Sequence, residues 1–299
     1  MSINSYQIFV TVAEQGSFIR ASHLLNITSS AISHSIAGLE KEFGYPLLTR
    51  NKSGIALTSY GETLMPYVRQ VVNSDAILRQ TVAALNGLEK GMVRLGCFNS
   101  ICMTHLPKLL NRFHEQYPGI KIQIFQGIYD DVIGWLKNGI IEIGFLSMAS
   151  AENEVPIRPV YQDELLCIAP KDFKSASPGV ITHEEMKGQE FIAQQEAMDS
   201  DVQNYIHRYH LQVKISCHAS DDLSAVCLVS NGFGICILPE LVMKAMNYEV
   251  DRYALRPRGF RTIGISCMEE NELSPAAGRL YHFMIEAYQR QEILEEFKG

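Results

Sequence analysis

Long apolar runs, paired cysteines and an excess of positive charge are all missing from this 299-residue chain. No stretch of eighteen apolar residues occurs, so no membrane span is expected. The opening MSINSYQIFV has no basic region followed by an apolar block, which argues against secretion and for the cytoplasm. Seven cysteines without a CxxC pair fit reduced, mostly buried thiols and exclude a disulfide framework. Residues 1–90 hold seven Lys/Arg against six Asp/Glu, and the remainder nineteen against twenty-seven. Nucleic-acid binders usually carry a basic footprint. Binding here would rest on Arg20, Lys41, Arg50 and Lys52, on helix ends and on a second copy, with steep salt dependence.

Catalytic signatures are thin as well. His183-Glu184-Glu185-Met186-Lys187 begins like HExxH but has no second His. Gly232-Phe233-Gly234 falls between a helix and a strand and reads as a turn, not a dinucleotide loop. Asp130-Asp131 and Asp221-Asp222, each at a helix start, read as dipole compensation. No nucleophile has a base beside it, so neither an enzyme, a metal nor a cofactor is expected. What remains is 46% apolar content, enough for two or three domains.

The informative stretch is Ser17–Tyr45, SFIRASHLLNITSSAISHSIAGLEKEFGY. Phe18, Ala21, Leu24 and Leu25 form one helical stripe. Leu25-Asn26-Ile27 makes a turn, and Thr28 is placed to cap the next helix. There Ile32, Ile36, Leu39 and Phe43 share a buried face. Ser30, His34, Ala37 and Lys41 fall opposite, with Ser29 and Ser33 on the shoulder. Small hydroxyls in place of long charges let a helix approach base edges and phosphates closely. An αα-hairpin whose serines merely face water fits the same spacing. Before this stretch, residues 4–15 read as a helix with Ile8, Phe9, Val12 and Ala13 inward, ended by Gly16.

After it, Leu47 and Leu48, a polar tip Arg50-Asn51-Lys52-Ser53-Gly54, then Ile55 and Leu57 predict a hairpin or wing. Ser59-Tyr60-Gly61-Glu62 fits a capping box opening a helix to about Leu88, with Pro66 kinking its first turns. Leu64, Val68, Val71, Asp75, Leu78, Val82 and Leu85 keep 3.5-residue spacing, the seam of a helix that pairs with another copy. Asn86-Gly87 and Lys90-Gly91 mark a hinge.

In FVTVAEQGSFIRASHLLNITSSAISHSIAGLEKEFGYPLLTRNKSGIALTSYGETLMPYVR, the order AxxL, S-AIS-SI-LE-E-G, L-R, LT-G resembles the LysR-type transcriptional regulators. Two departures stand out: Ser29-Ser30 where the family commonly has Gln-Pro, and His34 where Arg or Lys often follows the Ser. The resemblance implies a winged helix-turn-helix over 1–58, a linker and dimerisation helix over 59–90, and an effector-binding domain over 91–299. Thr28, Ser29, Ser30, Ser33 and His34 would read DNA, with Arg50 and Lys52 holding phosphate or the minor groove. Partners would be double-stranded DNA bearing an interrupted inverted repeat and a second copy, as a homodimer or homotetramer.

From Met92 strands alternate with helices: MVRLGC, a helix around Leu106, Leu109, Leu110 and Phe113, KIQIFQG, YDDVIGWLKNG and IIEIGFL. This βαβαβ order predicts a parallel sheet with helices on its faces. DELLCIAP, EFIAQ, VKISCHA and GICILP read as further strands. Helices fall near 183–187, 200–210, 221–230 and 240–246; RTIGISCM and a helix over 275–297 finish the chain. LPKLLNRFHEQYPGI, IEIGFL, DELLCIAP and GFGICILP resemble the family's two-lobed α/β domain, of periplasmic-binding-protein type. Lobe one would comprise 92–161 and 267–299 and lobe two 162–266, with crossings near Tyr161–Glu164 and Arg258–Thr262. Glu142, where the family often has Asp, is expected to be structural.

An effector should sit where strands end and helices begin. Those positions are Phe98, Asn99, Ser100 and Ile101, then Gly127 and Ile128, then Gln194 and Gln195. Ser100 suits a carboxylate or another small oxyanion, although Asn99 or Ser100 acting simply as a helix cap accounts for the same residues. No Arg stands at these positions, so a strongly anionic effector is not clearly indicated. A competing reading is a dimer that sequesters a solute without recognising DNA.

Overall fold

The computed structural model describes residues 3–51, 54–87, 90–194 and 200–291. Its chain divides into two compact units, residues 1–90 with 138–140, and residues 91–137 with 141–299.

In the first unit α1 (Ile3–Gln15), α2 (Phe18–Leu25) and α3 (Ser29–Phe43) precede a hairpin of β1 (Leu48–Asn51) and β2 (Gly54–Leu57), then α4 (Ser59–Leu85). Phe9, Val12, Ala21, Ile32, Ile36, Leu39, Leu47, Met65 and Val68 form one core. The predicted stripe of α2 is narrower than expected: Ala21 is buried but Leu24, at its edge, is 61% exposed. Asn26 closes α2 in the left-handed region at φ 53°, which Asn tolerates better than most residues. Thr28 caps α3, its hydroxyl accepting from the Ala31 N–H at 3.1 Å.

The wing forms as predicted, with Arg50 opposite Ile55 and Asn51 opposite Gly54. Gly54 is required twice: its φ is +127°, and a Cβ there would lie 2.7 Å from the Gly16 carbonyl oxygen. Glu40, in the helix that precedes the wing, ties it down by accepting from the Leu47 and Leu48 N–H groups at 2.7 and 3.2 Å.

Helix α4 departs from expectation at both ends. Thr58, not Ser59, is its cap, accepting from Gly61 N–H; with Gly61 at the third helical position, the expected capping box does not form. Helix α4 stops at Leu85, because Asn86 turns its N–H and side chain onto the preceding carbonyls and Gly87 adopts φ 74°. Leu88 lies outside the described residues. The helix runs unbroken through Pro66. Its seam is mostly open: Val71, Leu78, Val82 and Leu85 are 43%, 62%, 50% and 83% exposed.

The second unit begins with β3 (Gly91–Cys97), α5 (Asn99–Met103), α6 (His105–Gln116), β4 (Ile120–Gln126), α7 (Tyr129–Lys137), β5 (Ile143–Ser147) and α8 (Met148–Ala151). It continues through β6 (Ile157–Pro170), β7 (Val180–Thr182), α9 (His183–Met186), β8 (Glu190–Gln194), α10 (Ser200–Arg208) and β9 (Lys214–Ala219). Finally come α11 (Asp222–Ser230), β10 (Cys236–Pro239), α12 (Glu240–Lys244), β11 (Val250–Ser266) and α13 (Pro275–Gln289). Residues 292–297 of the predicted last helix lie outside the described residues.

Strands β3, β4 and β5 pair in parallel, as the βαβαβ order requires. The sheet order is β10-β6-β11-β5-β3-β4, and β6 and β11 pair antiparallel over most of their length. Both strands are longer than predicted: β6 begins at Ile157 where DELLCIAP begins at Asp163, and β11 begins at Val250 where RTIGISCM begins at Arg261. The pattern concealed this because β11 loses register between Ala254 and Gly259, interrupting its alternation. Alternation in β6 feeds two cores: Leu165, Cys167 and Ala169 join Ile181, Phe191 and Tyr205, whereas Ile168 joins Ala225, Val229 and Leu238.

Cys97, Cys167, Cys236 and Cys267 are buried and Cys102, Cys217 and Cys227 half-buried, all as free thiols. Glu142 is structural: it accepts from the Arg94 N–H at 3.2 Å and from the Ser274 hydroxyl at 2.8 Å. Ser274 in turn caps α13.

Candidate DNA interface and ligand cavity

On α3 the residues picked for DNA contact share the open side. Thr28, Ser30, Ser33 and His34 are exposed and Ser29 is half-buried, while Ile32, Ile36 and Leu39 fill the core. The first two turns therefore present short hydroxyl groups and one imidazole, with Lys41 exposed further along. Nothing longer than a histidine stands over the first two turns, so the helix surface can come close to an opposing groove. Arg50 is exposed on the wing, its guanidinium 5.1 Å from the Phe18 ring centroid. Lys52 lies outside the described residues.

The second unit contains a cavity of about 300 Å³ where the first strand-to-helix turns meet β11 and α11. Of the expected effector residues, Phe98, Asn99, Ser100, Gly127, Ile128 and Gln194 line it. Ile101 does not: it is fully buried in the core. Gln195 lies outside the described residues. Neither Asn99 nor Ser100 caps a helix, since Phe98 is the N-cap of α5 and no side chain bonds there. Asn99 accepts from the Gln126 side chain. The Ser100 hydroxyl accepts from Arg261 Nη2 at 2.7 Å.

Arg261 is the residue that sequence reasoning missed. It arrives from β11 and lines the cavity at only 5% exposure. Its Nε donates to Asp163 Oδ2 at 2.9 Å, its Nη2 pairs with the same oxygen at 2.7 Å, and its Nη1 donates to the Tyr129 hydroxyl at 3.1 Å. The guanidinium also lies 5.2 Å from the Phe98 ring centroid. Asp163 Oδ1 accepts from the Leu241 N–H at 3.0 Å, tying this ion pair to α12. The Tyr129 hydroxyl donates to Asp201 Oδ2 at 3.1 Å, and the Ser147 hydroxyl donates to Asp201 Oδ1 at 2.6 Å. Burial pushes the carboxyls of Asp163 and Asp201 upward; Arg261 opposes this at Asp163, and the Ser147 hydroxyl does so at Asp201.

Asp131 and Asp222, expected only to compensate helix dipoles, also line the cavity. Asp131 accepts from the Ile128 N–H at 3.0 Å, and Asp222 Oδ1 from the Gln194 side chain. Burial raises the Asp222 carboxyl above its ordinary range, with the Gln194 bond acting against it. Both follow strands by a short turn, so the rule that selected Gly127 and Gln194 also reaches them. The true cap of α11 is Asp221, accepting from the Ser224 N–H at 2.7 Å. His183 is no remnant of a metal motif: its ring lies 2.9 Å from the Tyr205 hydroxyl, and Glu185 completes a capping box with Thr182.

A three-helix, winged unit with an exposed small-residue helix, followed by an α/β unit with a polar cavity, defines a DNA-binding regulator that answers to a small molecule. Residues 3–62 match the model of the bacterial regulatory helix-turn-helix protein, lysR family, and residues 86–289 that of the LysR substrate binding domain. The chain belongs to the LysR family of transcriptional regulators. It is 27% identical over 281 residues to the uncharacterized HTH-type transcriptional regulator YvbU of Bacillus subtilis, spanning 93% of this chain and 95% of that one. Full-length OxyR from Pseudomonas aeruginosa has a similar fold: TM-score 0.78, 19% identity, 97% of this chain and 95% of that chain. The same holds for CbnR, a LysR family regulator, solved in complex with its target DNA: TM-score 0.66, 18% identity, 97% and 99% coverage. The protein is thus a LysR-type DNA-binding transcriptional regulator with an effector-binding domain, and not an enzyme; the family does not favour simple solute sequestration.

Proposed function

We propose that α3 of each of two copies enters successive major grooves of an interrupted inverted repeat. Thr28, Ser29, Ser30, Ser33 and His34 then face base edges and flanking phosphate, while Arg50 and Lys52 on the wing hold phosphate or the minor groove. The observation carrying this reading is the exposure of Ser30, Ser33 and His34 on a helix whose other face is core. The domain limits are 1–58 for the winged helix-turn-helix, 59–90 for the joining helix and 91–299 for the effector domain. Lobe one takes 92–161 and 267–299, and lobe two 162–266. The open stripe of Val71, Leu78, Val82 and Leu85 supports pairing of α4 with a second copy, as a homodimer or, through the effector domains, a homotetramer. Such a regulator acts on DNA in the cytoplasm.

The effector occupies the cavity beside Ser100, with Phe98, Asn99, Gly127, Ile128 and Gln194 around it and Gln195 next in the chain. An acceptor group such as a carboxylate suits the Ser100 and Asn99 side chains. Occupancy alters the network of Arg261, Tyr129 and Asp201, and so couples ligand to DNA geometry. Gel shifts with promoter fragments test the reading: Ser33→Glu with His34→Glu should abolish sequence-dependent binding while circular dichroism stays unchanged. Retained binding by that variant would refute it.

A further inference from the structure

The charges around the cavity say more about the effector than its position does. Arg261, the cation among the described lining residues, is already committed: Asp163 neutralises it, and Ser100 and Tyr129 take further N–H groups. Against it stand Asp131 and Asp222 on the cavity wall, with Asp201 behind Tyr129. Each wall carboxylate uses one oxygen, Asp131 toward Ile128 N–H and Asp222 toward Gln194. Among the described residues, neither has a hydrogen bond to its second oxygen. Beyond the Arg261–Asp163 pair, the wall therefore carries two further carboxyls, Asp222 half-buried and Asp131 exposed, each with an oxygen open to a donor.

We propose that the effector carries a protonated amine directed at Asp222 and Asp131, and that it is a small ammonium compound of amino-acid size. This rests on the reading of the cavity as the effector site. An ammonium brings three donors and one charge, matching two half-used carboxylates through charge-assisted hydrogen bonds. The polar remainder of the molecule meets Asn99, Ser100 and Gln126. A volume of about 300 Å³ lies at the small end of ligand sites, excluding bulky amines.

Thermal-shift and calorimetric titration of the full chain test this with matched pairs of probes. The pairs are L-alanine with propionate and L-lactate, L-serine with D-glycerate, ethanolamine with ethylene glycol, and putrescine with 1,4-butanediol. At least one ammonium-bearing member should bind while its amine-free counterpart does not. Asp222→Asn should weaken that binding by about tenfold or more. The same loss from Asp131→Asn, at an exposed position, guards against a folding defect at Asp222. Gln126→Trp, which fills the mouth from an exposed position, should abolish binding of any probe. If amine-free acids bind and Gln126→Trp blocks them, the cavity reading stands and the ammonium is overturned. Binding indifferent to Gln126→Trp overturns the cavity reading itself. Silence from every ammonium probe overturns the ammonium proposal.

Discussion

The two recognition surfaces of this chain are built on opposite plans. The face proposed to read DNA comes from one helix of fifteen residues, with Ser30, Ser33, His34 and Lys41 exposed on it. The ligand cavity is assembled from β3–α5, β4–α7, β8, α11 and β11, and its central contact, Arg261 to Ser100, spans 161 residues. The first plan leaves recognition and folding largely separable, because the core face and the reading face are different side chains. The second makes them inseparable, because Arg261 and Asp163 are at once cavity wall and buried ion pair.

The largest break in that comparison should come at Arg261. Arg261→Ala leaves Asp163, fully buried, and Asp201 without their cation. Removing one partner of a buried pair costs about 3–5 kcal/mol, to be read from the urea midpoint of the effector-domain transition. A loss below about 1 kcal/mol would mean that Asp163 simply takes up a proton at little cost.

His105 sharpens the same contrast through pH. It is 1% exposed, its Nδ1 lies 2.9 Å from the Tyr288 hydroxyl, and Tyr161 stacks on it edge-on. Burial, aided by Lys244, Lys108 and Arg261, holds its pKa down at about 4. A depressed folded pKa contributes stability that is fully present above the unfolded value near 6.5 and is lost as pH falls toward 4. The loss approaches about 3 kcal/mol at its acid limit. Asp163, Asp201 and Asp222, whose carboxyls are raised by burial, act in the opposite sense over part of that range. The measurement is therefore a difference: His105→Phe should flatten the fall in stability between pH 6.5 and 4 relative to the parent. Parallel curves would contradict the buried neutral imidazole.

The local plan explains why the first unit was legible in the sequence. Periodicity of 3.6 named Ile32, Ile36 and Leu39 as core, and Thr28 as a cap, because each depends on neighbours within one or two turns. Misreadings there were local too: Leu24 sits at the edge of a narrow stripe, and Thr58 caps one residue before the expected Ser59. In the second unit, strand ends located Phe98, Asn99, Ser100, Gly127, Ile128 and Gln194. Periodicity could not bring Arg261 to Ser100, or separate a dipole-compensating aspartate from Asp222 on the cavity wall. Those assignments depend on which strands are neighbours: RTIGISCM begins with Arg261, but nothing in its pattern tells that it pairs with β5 and β6.

The smallest expected effect falls on the cap of α3. Thr28→Ala removes the acceptor of the Ala31 N–H and should cost about 1 kcal/mol of stability. Thermal melts of the full chain check the figure, and a cost above about 3 kcal/mol would show that Thr28 also supports the core.

Separability of reading from folding is tested most directly by fluorescence anisotropy of the purified chain on its own promoter DNA, across a salt series. The parent should bind saturably, with affinity falling steeply as salt rises. The Ser33→Glu, His34→Glu variant should keep the same melting temperature and lose that binding. Equal affinity in the two proteins would contradict the account, as would a variant that loses binding only because it has unfolded.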